Sequence, residues 1–589
     1  TVFNEPISIG DPGAHGLHEG DKVVIELVRF PSHVSPGEGV VVEVLGPRGQ
    51  PGVDTLSIIR EFGLPDEFPP DVIADSRAVA ERFEEEIGNR RDYTQDTVIT
   101  IDPVDARDFD DAISLRRLEN GHWQLGVHIA DVSHFVQAGS PLDIEARQRG
   151  TSVYLPDRVI PMLPEIISNN LASLQPDRVR YAKTCLIEMT AEGIVVDVEV
   201  HSSAIRSCRR FTYEEVDEFL ADRASWKKKL TPEVWRLLGD MHELAMMLRR
   251  RRISNGSLEL SLPEVKIDLN ELGAVAGAHL TENTESHQII EEFMLAANVA
   301  VAEKLAEREI FFLRRIHGSP DPRKLHALTE FVRDLGVEVE NLQSRFEIQG
   351  VIDAARGRPE EQAINYAVLR SMAKAVYGPD EEGHWALAFE KYCHFTSPIR
   401  RYPDLTVHRL FTSLEEGRRP VADFAQLELL GQQCSEREQR AEAAERELKK
   451  VKLLNYFAER IGEELDAVIT GVESFGVFAQ GLQIPAEGII RLEALPPDYY
   501  DYEERGHMLT GRRSGLVLRL GDVIRVSVAH VDVDRRKLEF RMAGTEVTHA
   551  PRGRSKPLGS RGGGKKRRGA SRKPGPPAKG KRKGRPRRG

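Results

Sequence analysis

Alternating apolar and polar residues open the chain in two short runs, at 22–28 and 39–45, with Pro-Ser and Gly-Pro turns nearby. A period of two predicts β-strands with one buried face, and short strands of this kind are typical of a small barrel. A polar stretch with helical periodicity follows at 70–87. We therefore predict part of a small β-barrel domain over residues 1–88, which a helix joins to the rest of the chain.

Between residues 89 and 458 strand and helix patterns are mixed. One helix is predicted to begin at Thr231-Pro232-Glu233, since Pro suits the first turn and an acid suits the positive end of the helix dipole. It is predicted to end at Asn255-Gly256, with its apolar face in the core. The other predicted elements are strands at 97–101, 123–130 and 195–200 and helices at 286–307, 321–335 and 422–461.

Residues 459–545 return to short strands, five in number, with glycines at the turns and a longer excursion after the third strand. This pattern is typical of a five-stranded OB barrel. Phe475 and Phe478, flanked by Arg491 and Arg525, are predicted to form a stacking platform for single-stranded nucleic acid. The alternative is that the two rings lie in the barrel core.

The overall composition sets the class of protein. A chain of 589 residues is too long for one core, so several domains are expected. The sequence contains no apolar run of about 20 residues, and its first residues do not form a signal peptide, so we expect a cytoplasmic protein without membrane contact. The four cysteines are far apart and form no CxxC pair, which favours reduced thiols over a zinc site or disulfides.

Charge is distributed unevenly. The chain carries a net charge of −11, yet residues 551–589 contain 17 Lys and Arg and no acid. A basic, Gly/Pro-rich tail over 546–589 is predicted to be disordered and to bind a polyanion, such as RNA or the ribosome. The alternative is a solvated tail with no specific role.

Five aspartates lie between positions 102 and 111, in the sequence Ile-Asp-Pro-Val-Asp-Ala-Arg-Asp-Phe-Asp-Asp-Ala that starts at Ile101. Carboxylates this close repel one another unless a cation neutralises them. Oxygen ligands suit Mg²⁺, so one or two Mg²⁺ ions are predicted to bind Asp102, Asp108, Asp110 and Asp111. Alternation predicts that Asp108 and Asp110 face one side and Asp111 the other.

Two other interpretations of this acidic stretch fit the residues less well. A Ca²⁺ loop of the EF-hand kind needs a glycine where this chain has Ile113. An acidic surface turn without a role is disfavoured by the apolar residues Ile101, Phe109 and Ile113 among the acids. A metal site is therefore preferred.

Two more segments carry candidate chemistry. The first runs from His394 to Asp404 and contains Arg400 and Arg401. A guanidinium group can donate two parallel hydrogen bonds to two oxygens of one phosphate. For Arg401, a structural ion pair with a buried Asp is an equally good interpretation. The second segment runs from Gly150 to Pro156, where Tyr154 could stack on a base or pack in the core.

These three segments together resemble the catalytic RNB domain of the exoribonuclease II and exoribonuclease R family. The sequence Arg-Arg-Tyr-Pro-Asp-Leu and the basic tail resemble the R branch more closely than the II branch. The C-terminal strands are similar to the S-one type RNA-binding OB domain, and the N-terminal strands to a cold-shock OB domain. The resemblance implies a multidomain α+β protein, with a mixed α/β RNB domain at 89–458 between β-barrel domains at 1–88 and 459–545.

The resemblance also implies roles for single residues. The four aspartates match the Mg²⁺-binding acids, with Asp110, assisted by Asp108, most directly tied to catalysis. Tyr154 matches the aromatic residue that stacks near the RNA 3′ end and helps to set the final product. Arg400 matches the arginine that holds the scissile phosphate, with Arg401 beside it. Glu445 matches an acid near the 3′ nucleotide in the II branch.

The chain departs from the family pattern in three places. Members usually have two N-terminal cold-shock barrels, and here there is room for about one. A second clamp ring is expected just before Arg315-Ile316-His317, where it is either Phe312 or absent and replaced by Arg314. In the C-terminal barrel Arg491 stands where such domains often have His.

We therefore expect a processive, Mg²⁺-dependent, hydrolytic exoribonuclease that degrades single-stranded RNA from its 3′ end to nucleoside 5′-monophosphates as a monomer. The alternative is an RNA-binding or RNA-unwinding regulator that keeps the RNB scaffold without turnover. The intact acids at all four positions favour the enzyme.

Overall fold

A computed structural model describes residues 6–10, 16–32, 36–262, 264–271, 273–358, 360–420, 422–503 and 507–548. The predicted basic tail, from residue 549 onward, lies outside the described residues. Among the helices described here, none is long and apolar enough to cross a bilayer.

The N-terminal segment forms a small sheet followed by two helices. Strand β3 pairs with β1 in parallel and with β2 in antiparallel fashion, so the described strands form a three-stranded sheet that does not close into a barrel. Three strands are too few to close on themselves. The elements are β1 (Ile7–Ile9), β2 (Asp21–Arg29), β3 (Gly37–Pro47), α1 (Val53–Glu61) and α2 (Pro70–Arg82).

A closed five-stranded barrel is the centre of the molecule. Its strands follow the order β10-β4-β5-β6-β9, and β10 runs parallel to β4. Alternating side chains such as Trp123, Leu125 and Val127 are buried in one core. The strands are β4 (Arg91–Asp102), β5 (Asp111–Arg117), β6 (Trp123–Ala130), β9 (Val179–Met189) and β10 (Val195–Thr212).

Short elements fill the connection between β6 and β9. Its two strands form an antiparallel hairpin in which Tyr154 pairs with Val159. The connection contains α3 (Val132–Phe135), α4 (Pro141–Arg149), β7 (Val153–Leu155), β8 (Arg158–Ile160) and a π-helical turn at Ile166–Leu171.

Helices and two small sheets follow the barrel. The helix predicted from Thr231 runs over Pro232–Ser254, and the Thr231 side chain accepts a hydrogen bond from Val234 as its N-cap. The elements are α5 (Tyr213–Ala221), α6 (Arg223–Trp226), α7 (Pro232–Ser254), β11 (Glu264–Leu269), β12 (Val275–Thr281), α8 (Glu285–Glu307), β13 (Arg314–Ile316), α9 (Pro322–Asp334), α10 (Arg345–Ala355), α11 (Glu361–Ser371), β14 (Val376–Gly378), α12 (Tyr402–Glu415) and α13 (Phe424–Ala458).

The C-terminal segment forms a second closed barrel, in the order β15-β16-β17-β22-β21, which confirms the five predicted strands. The excursion after β17 holds a separate three-stranded sheet. The elements are β15 (Glu464–Glu473), β16 (Gly476–Gly481), β17 (Glu487–Arg491), a 3₁₀ turn at Leu492–Ala494, β18 (Tyr500–Glu503), β19 (Met508–Gly511), β20 (Val517–Arg519), β21 (Val523–Asp532) and β22 (Lys537–Thr548).

The 35-residue helix α13 connects these parts. Its side chains Ala444 and Leu448 pack with the hairpin β7–β8 and with α1. Its later residues Leu453 and Leu454 pack with the core of the C-terminal barrel. At Gly431 the helix lies directly on β14, since a Cβ atom there would come within 2.5 Å of the Tyr377 carbonyl oxygen.

This close approach predicts opposite effects of adding a methyl group at two helical glycines. We expect Gly431→Ala to lower the free energy of unfolding by about 1–3 kcal/mol because backbone atoms must move apart. Gly239 in α7 has room for a methyl group, since a Cβ atom there would lie at an ordinary contact distance, 3.6 Å, from its nearest neighbour, the Arg223 guanidinium. Gly239→Ala should raise stability by about 0.5–1 kcal/mol through helix propensity. Urea unfolding followed by circular dichroism measures the free energy of unfolding of both variants. Equal effects of the two substitutions would contradict the close packing of Gly431 against β14.

Candidate active site

The acidic segment lies where two barrel strands separate. Strands β4 and β5 pair only at Ile99 and Ile113, and beyond that pair β4 ends at Asp102 while β5 begins at Asp111. The intervening loop leads the chain across one end of the barrel. Asp102 and Asp110 are buried there, and Asp108 and Asp111 are half-buried.

A serine from a distant segment fixes the loop. The Phe109 amide donates a hydrogen bond to Ser173 Oγ at 3.1 Å, and Ser173 Oγ donates to the Arg107 carbonyl at 2.8 Å. The Phe109 ring is buried in the core beneath the Arg210 guanidinium, 4.9 Å from it. These contacts hold Phe109 in place, and with it the neighbouring residues Asp108 and Asp110.

Burial makes the carboxylates difficult to ionise. It raises the pKa of Asp102 to about 8, with a further contribution from the neighbouring Asp111 carboxylate. Burial also raises the pKa of Asp111, to about 6, and that of Asp110, while Arg400 acts in the opposite direction on both. One arginine thus offsets only part of the cost of charging this cluster.

Arg400 approaches the loop from the segment before α12. Its Nε lies 3.7 Å from Asp110 Oδ2, and the preceding amide of Ile399 donates to Asp110 Oδ1 at 3.0 Å. A terminal Arg400 nitrogen also donates to Ser397 Oγ at 3.1 Å. The Arg400 side chain remains 43% exposed, so part of its guanidinium is accessible to a bound anion.

Arg401 has a different environment. It forms two hydrogen bonds with the Asp404 carboxylate, at 3.0 and 2.9 Å, and Asp404 is fully buried. Burial opposes its charge, but Asp404 holds the pKa of Arg401 above its ordinary value. The geometry favours the structural ion pair over a direct contact of Arg401 with RNA.

Tyr154 lies on the other side of the acidic loop. Its hydroxyl donates to Asp108 Oδ2 at 3.2 Å, and its side chain is exposed, with a relative accessibility of 38%. The start of its hairpin is held to the Arg400 segment, because the Ser152 amide donates to the Arg400 carbonyl at 3.0 Å. The ring is therefore at the site and outside the core, where it is available for stacking.

The set of acids at this barrel end fits a hard divalent cation. Asp102 Oδ2 is buried and has no hydrogen-bond partner, and the other candidate ligands are carboxylate oxygens as well. Across the described ranges, no three His, Cys, Asp or Glu side chains already stand in a geometry that would hold a metal ion. Mg²⁺ is typically bound by a few carboxylates, and water and phosphate oxygens complete its coordination. The acids therefore suit such an ion together with a substrate phosphate.

Tyr213 and Ser173 adjoin the site without having been predicted from the sequence. Thr212 pairs with Asp102 between the parallel strands β10 and β4, so Tyr213 follows at the edge of the acidic cluster. Its ring stacks on His287 at 3.9 Å, and burial together with Asp111 and Asp102 raises the pKa of its hydroxyl. The capping box of α5 marks a helix start in the sequence, but only the strand pairing brings that start to the acids.

The predicted clamp ring, Phe312, does not lie at the site. Its side chain is 1% exposed and belongs to the core of the barrel and helices, where Arg314 lies 4.5 Å above it. A ring buried in this way cannot stack on RNA, so the stacking role predicted for Phe312 does not fit the structure. The exposed ring in this segment is Phe311, which contacts Phe424 edge to face.

The remaining predicted RNA contacts lie toward the C-terminal barrel. Glu445 pairs with Lys449 at 2.8 Å and lines a cavity of about 620 Å³ between α13 and that barrel, as does Phe478. Phe475 is half exposed and meets the half-buried Phe478 edge to face at 6.2 Å. Neither ring is fully buried in the barrel core. Arg491, however, pairs with Glu539 at 3.1 Å.

Three family models match the chain. The RNB domain matches residues 90–416, the cold shock domain matches residues 1–69 and the S1 RNA binding domain matches residues 459–542. The match to the RNB domain covers more than half of the chain. The predicted fold class, a mixed α/β RNB domain flanked by cold-shock-like and S-one type domains, is confirmed.

Named relatives extend over most of the chain. Ribonuclease R 1 of Lactococcus lactis is 37% identical over 547 residues, which is 90% of this chain and 66% of that protein. Ribonuclease R of Aquifex aeolicus is 38% identical over 532 residues, 89% of this chain and 75% of that protein. The structure of Mycoplasma genitalium RNase R in complex with ribose methylated single-stranded RNA superposes with a TM-score of 0.83 at 26% identity, covering 92% of this chain and 85% of that one.

The two neighbouring arginines should differ in what their removal does to stability. Arg401→Met leaves the buried Asp404 without its charged partner, so we expect the free energy of unfolding to fall by about 3–5 kcal/mol. Arg400→Met, the matched control, removes a partly exposed side chain and should change it by no more than about 1 kcal/mol. Urea unfolding measures both, and equal losses would contradict the division between a structural and an accessible arginine.

Proposed function

The chain belongs to the ribonuclease R family of RNB-domain proteins, and on that premise we propose that it is a processive, hydrolytic exoribonuclease. It degrades single-stranded RNA from the 3′ end and releases nucleoside 5′-monophosphates. The observation that carries the proposal is the convergence of the acidic loop, Arg400 and Tyr154 at one end of the barrel. These groups suit a metal ion, a phosphate and a base, which are the three parts of a terminal nucleotide bound for hydrolysis.

Arg400 binds the scissile phosphate in this proposal. Its exposed guanidinium edge lies beside Asp110, so a phosphate held there is brought directly against the acidic loop. Two parallel N–H donors fix both the position and the orientation of a phosphate. Because the hydrogen bond from the Ile399 amide and the contact with Arg400 Nε hold Asp110 on both oxygens, the carboxylate keeps one orientation relative to that phosphate.

Mg²⁺ would be held by Asp102, Asp108, Asp110 and Asp111, whose oxygens provide ligands for one or two ions. When bound, it supplies the positive charge that activates a water nucleophile and stabilises the charge gathering on the phosphate. The crowded acids repel one another in its absence, which supports a requirement for divalent cations.

Tyr154 binds the 3′ end of the RNA strand in this proposal. Its exposed ring stacks on a base near the 3′ terminus, while its hydroxyl remains close to Asp108. A short RNA that no longer reaches other binding surfaces depends most on this stacking, so the ring helps to set the length of the final product. Contacts to the 2′-hydroxyl would distinguish RNA from DNA.

Other parts of the chain concentrate RNA. Phe475 and Phe478 offer two accessible rings on the C-terminal barrel for base stacking. The basic tail adds salt-dependent attraction to RNA or ribosomes. We propose that the protein acts as a monomer in the cytoplasm.

A two-substrate degradation assay tests the function. An RNA with a single-stranded 3′ tail and one with a single-stranded 5′ tail are incubated with Mg²⁺ and then with EDTA. We expect mononucleotide release only from the free 3′ end, and no release in EDTA. Binding without release would instead support the alternative function, an RNA-binding regulator without turnover. A duplex with a 3′ overhang, added to the same assay, shows whether structured RNA is degraded.

Replacing the buried aspartate separates turnover from binding. Asp110→Asn should lower the degradation rate by about 100-fold or more while leaving RNA affinity within about twofold, because the amide keeps the volume but not the charge. Asp105→Asn, in an exposed position of the same loop, is the matched control and should retain the parental rate. Rates come from gel assays and affinity from filter binding in EDTA. Near-parental turnover by Asp110→Asn would refute the assignment of the centre.

Tyr154→Ala should lengthen the final product, because the last nucleotides lose their stacking partner. Tyr154→Phe keeps the ring and loses only the hydroxyl, so it should retain the parental product length. Denaturing gels of end-labelled RNA resolve the products at single-nucleotide steps. An unchanged product ladder in Tyr154→Ala would favour a packing role for this side chain.

A further inference from the structure

The hairpin β7–β8 that carries Tyr154 has two different faces. Its inward side chains, Val153, Leu155 and Ile160, are buried in one cluster with Ile58 and Ile59 of α1 and with Ala441, Ala444 and Leu448 of α13. Tyr154 lies between Val153 and Leu155, so strand alternation directs it to the opposite face, where it contacts Asp108. The N-terminal helix α1 thus packs against the buried face of the hairpin, opposite to the face that carries the Tyr154 ring.

The turn of the same hairpin is fixed by a polar contact between three segments. Asp157 accepts a hydrogen bond from the Thr55 hydroxyl of α1, and its Oδ2 lies 3.3 Å from Lys452 Nζ of α13. Thr55 is fully buried and Lys452 is 5% exposed. A half-buried acid that meets both a buried hydroxyl and a buried ammonium group has few alternative positions.

A second contact fixes α1 itself. Asp54, the residue before Thr55, accepts a hydrogen bond from Asn455 of α13, and its Oδ1 lies 3.3 Å from Lys22 Nζ of β2. The N-terminal sheet, α1 and α13 are therefore joined one residue away from the contact with the hairpin.

The other end of the hairpin is joined to the phosphate-binding segment. The Ser152 amide donates to the Arg400 carbonyl at 3.0 Å, and Ser152 Oγ accepts from the Met162 amide at 2.8 Å. Tyr154 thus lies on a short rigid bridge between Arg400 and the Asp157 contact. A displacement of about 1 Å at such a bridge is enough to disturb a reacting geometry.

We propose that Thr55 and Asp157 are positioning residues for Tyr154, and that the N-terminal domain sets the final product length through them. The domain then has a role in the reaction itself. This inference rests on the proposed exoribonuclease function, because the product length is the property that the bridge controls.

The test uses the full chain with isosteric changes. Thr55→Val removes only the hydroxyl, and Asp157→Asn removes the charge that faces Lys452. We expect both to lengthen the final product by at least one nucleotide, in the same direction as Tyr154→Ala, with the initial rate on long RNA within about twofold of parental. Thr55→Ser should restore the parental ladder. In the Tyr154→Ala background, Thr55→Val should add no further change.

A destabilised protein is the control for a merely structural role. Ile352→Val, in the separate core of α9–α11, lowers stability without touching the hairpin and should keep the parental ladder. The proposal is overturned if Thr55→Val and Asp157→Asn keep the parental ladder, or if Ile352→Val lengthens the product equally.

Hydrogen exchange of the RNA-free protein provides a readout that needs no turnover. Amides of the Val153–Ile160 hairpin should exchange faster in Thr55→Val than in the parental protein and in Ile352→Val. Unchanged exchange would overturn the positioning role. A parental protein that releases no mononucleotides would refute the proposed function, and the exchange rates would then decide the link between α1 and the hairpin alone.

Discussion

Burial of several carboxylates at one end of the central barrel is the constraint on which the site depends. Asp102 and Asp110 are almost inaccessible to water, and burial raises the pKa of both. A fold keeps such a cluster only if other groups hold the loop in place and the charge is neutralised, either by protonation or by a cation. The hydrogen bonds of Ser173, the inward Phe109 ring and the contacts of Arg400 and Ile399 with Asp110 are the groups that hold it.

The same constraint explains how the surrounding elements are arranged. The loop opens where β4 and β5 separate, and segments far apart in the chain close around it. The Arg400 segment, the Tyr154 hairpin and the start of α5 at Tyr213 each contribute one side chain that differs in chemistry from the acids. The helix α13 supports the hairpin from behind and continues to the C-terminal barrel, so the proposed RNA-binding surfaces and the acids belong to one connected framework.

Adjacent residues of the same type have separate tasks in this framework. Arg400 is partly exposed beside Asp110, whereas Arg401 forms an ion pair with the buried Asp404. Phe311 is half exposed, whereas Phe312 is in the core. In each pair the two neighbouring side chains lie in different environments, so that one meets solvent and the other does not.

The sequence by itself determined the residue types and their local spacing. The crowded aspartates predicted a cation site, the alternating runs predicted the strands of the barrels, and the motifs at 101, 151 and 394 identified the family. Local patterns are readable because strand and helix periods and charge repulsion act over a few residues. The tertiary structure alone decided that Arg400 is the accessible arginine, that Phe312 is buried, that Tyr213 and Ser173 adjoin the site, and that Asp157 contacts Thr55. Those facts depend on contacts between segments up to about 400 residues apart, such as Asn455 with Asp54, which no local pattern records.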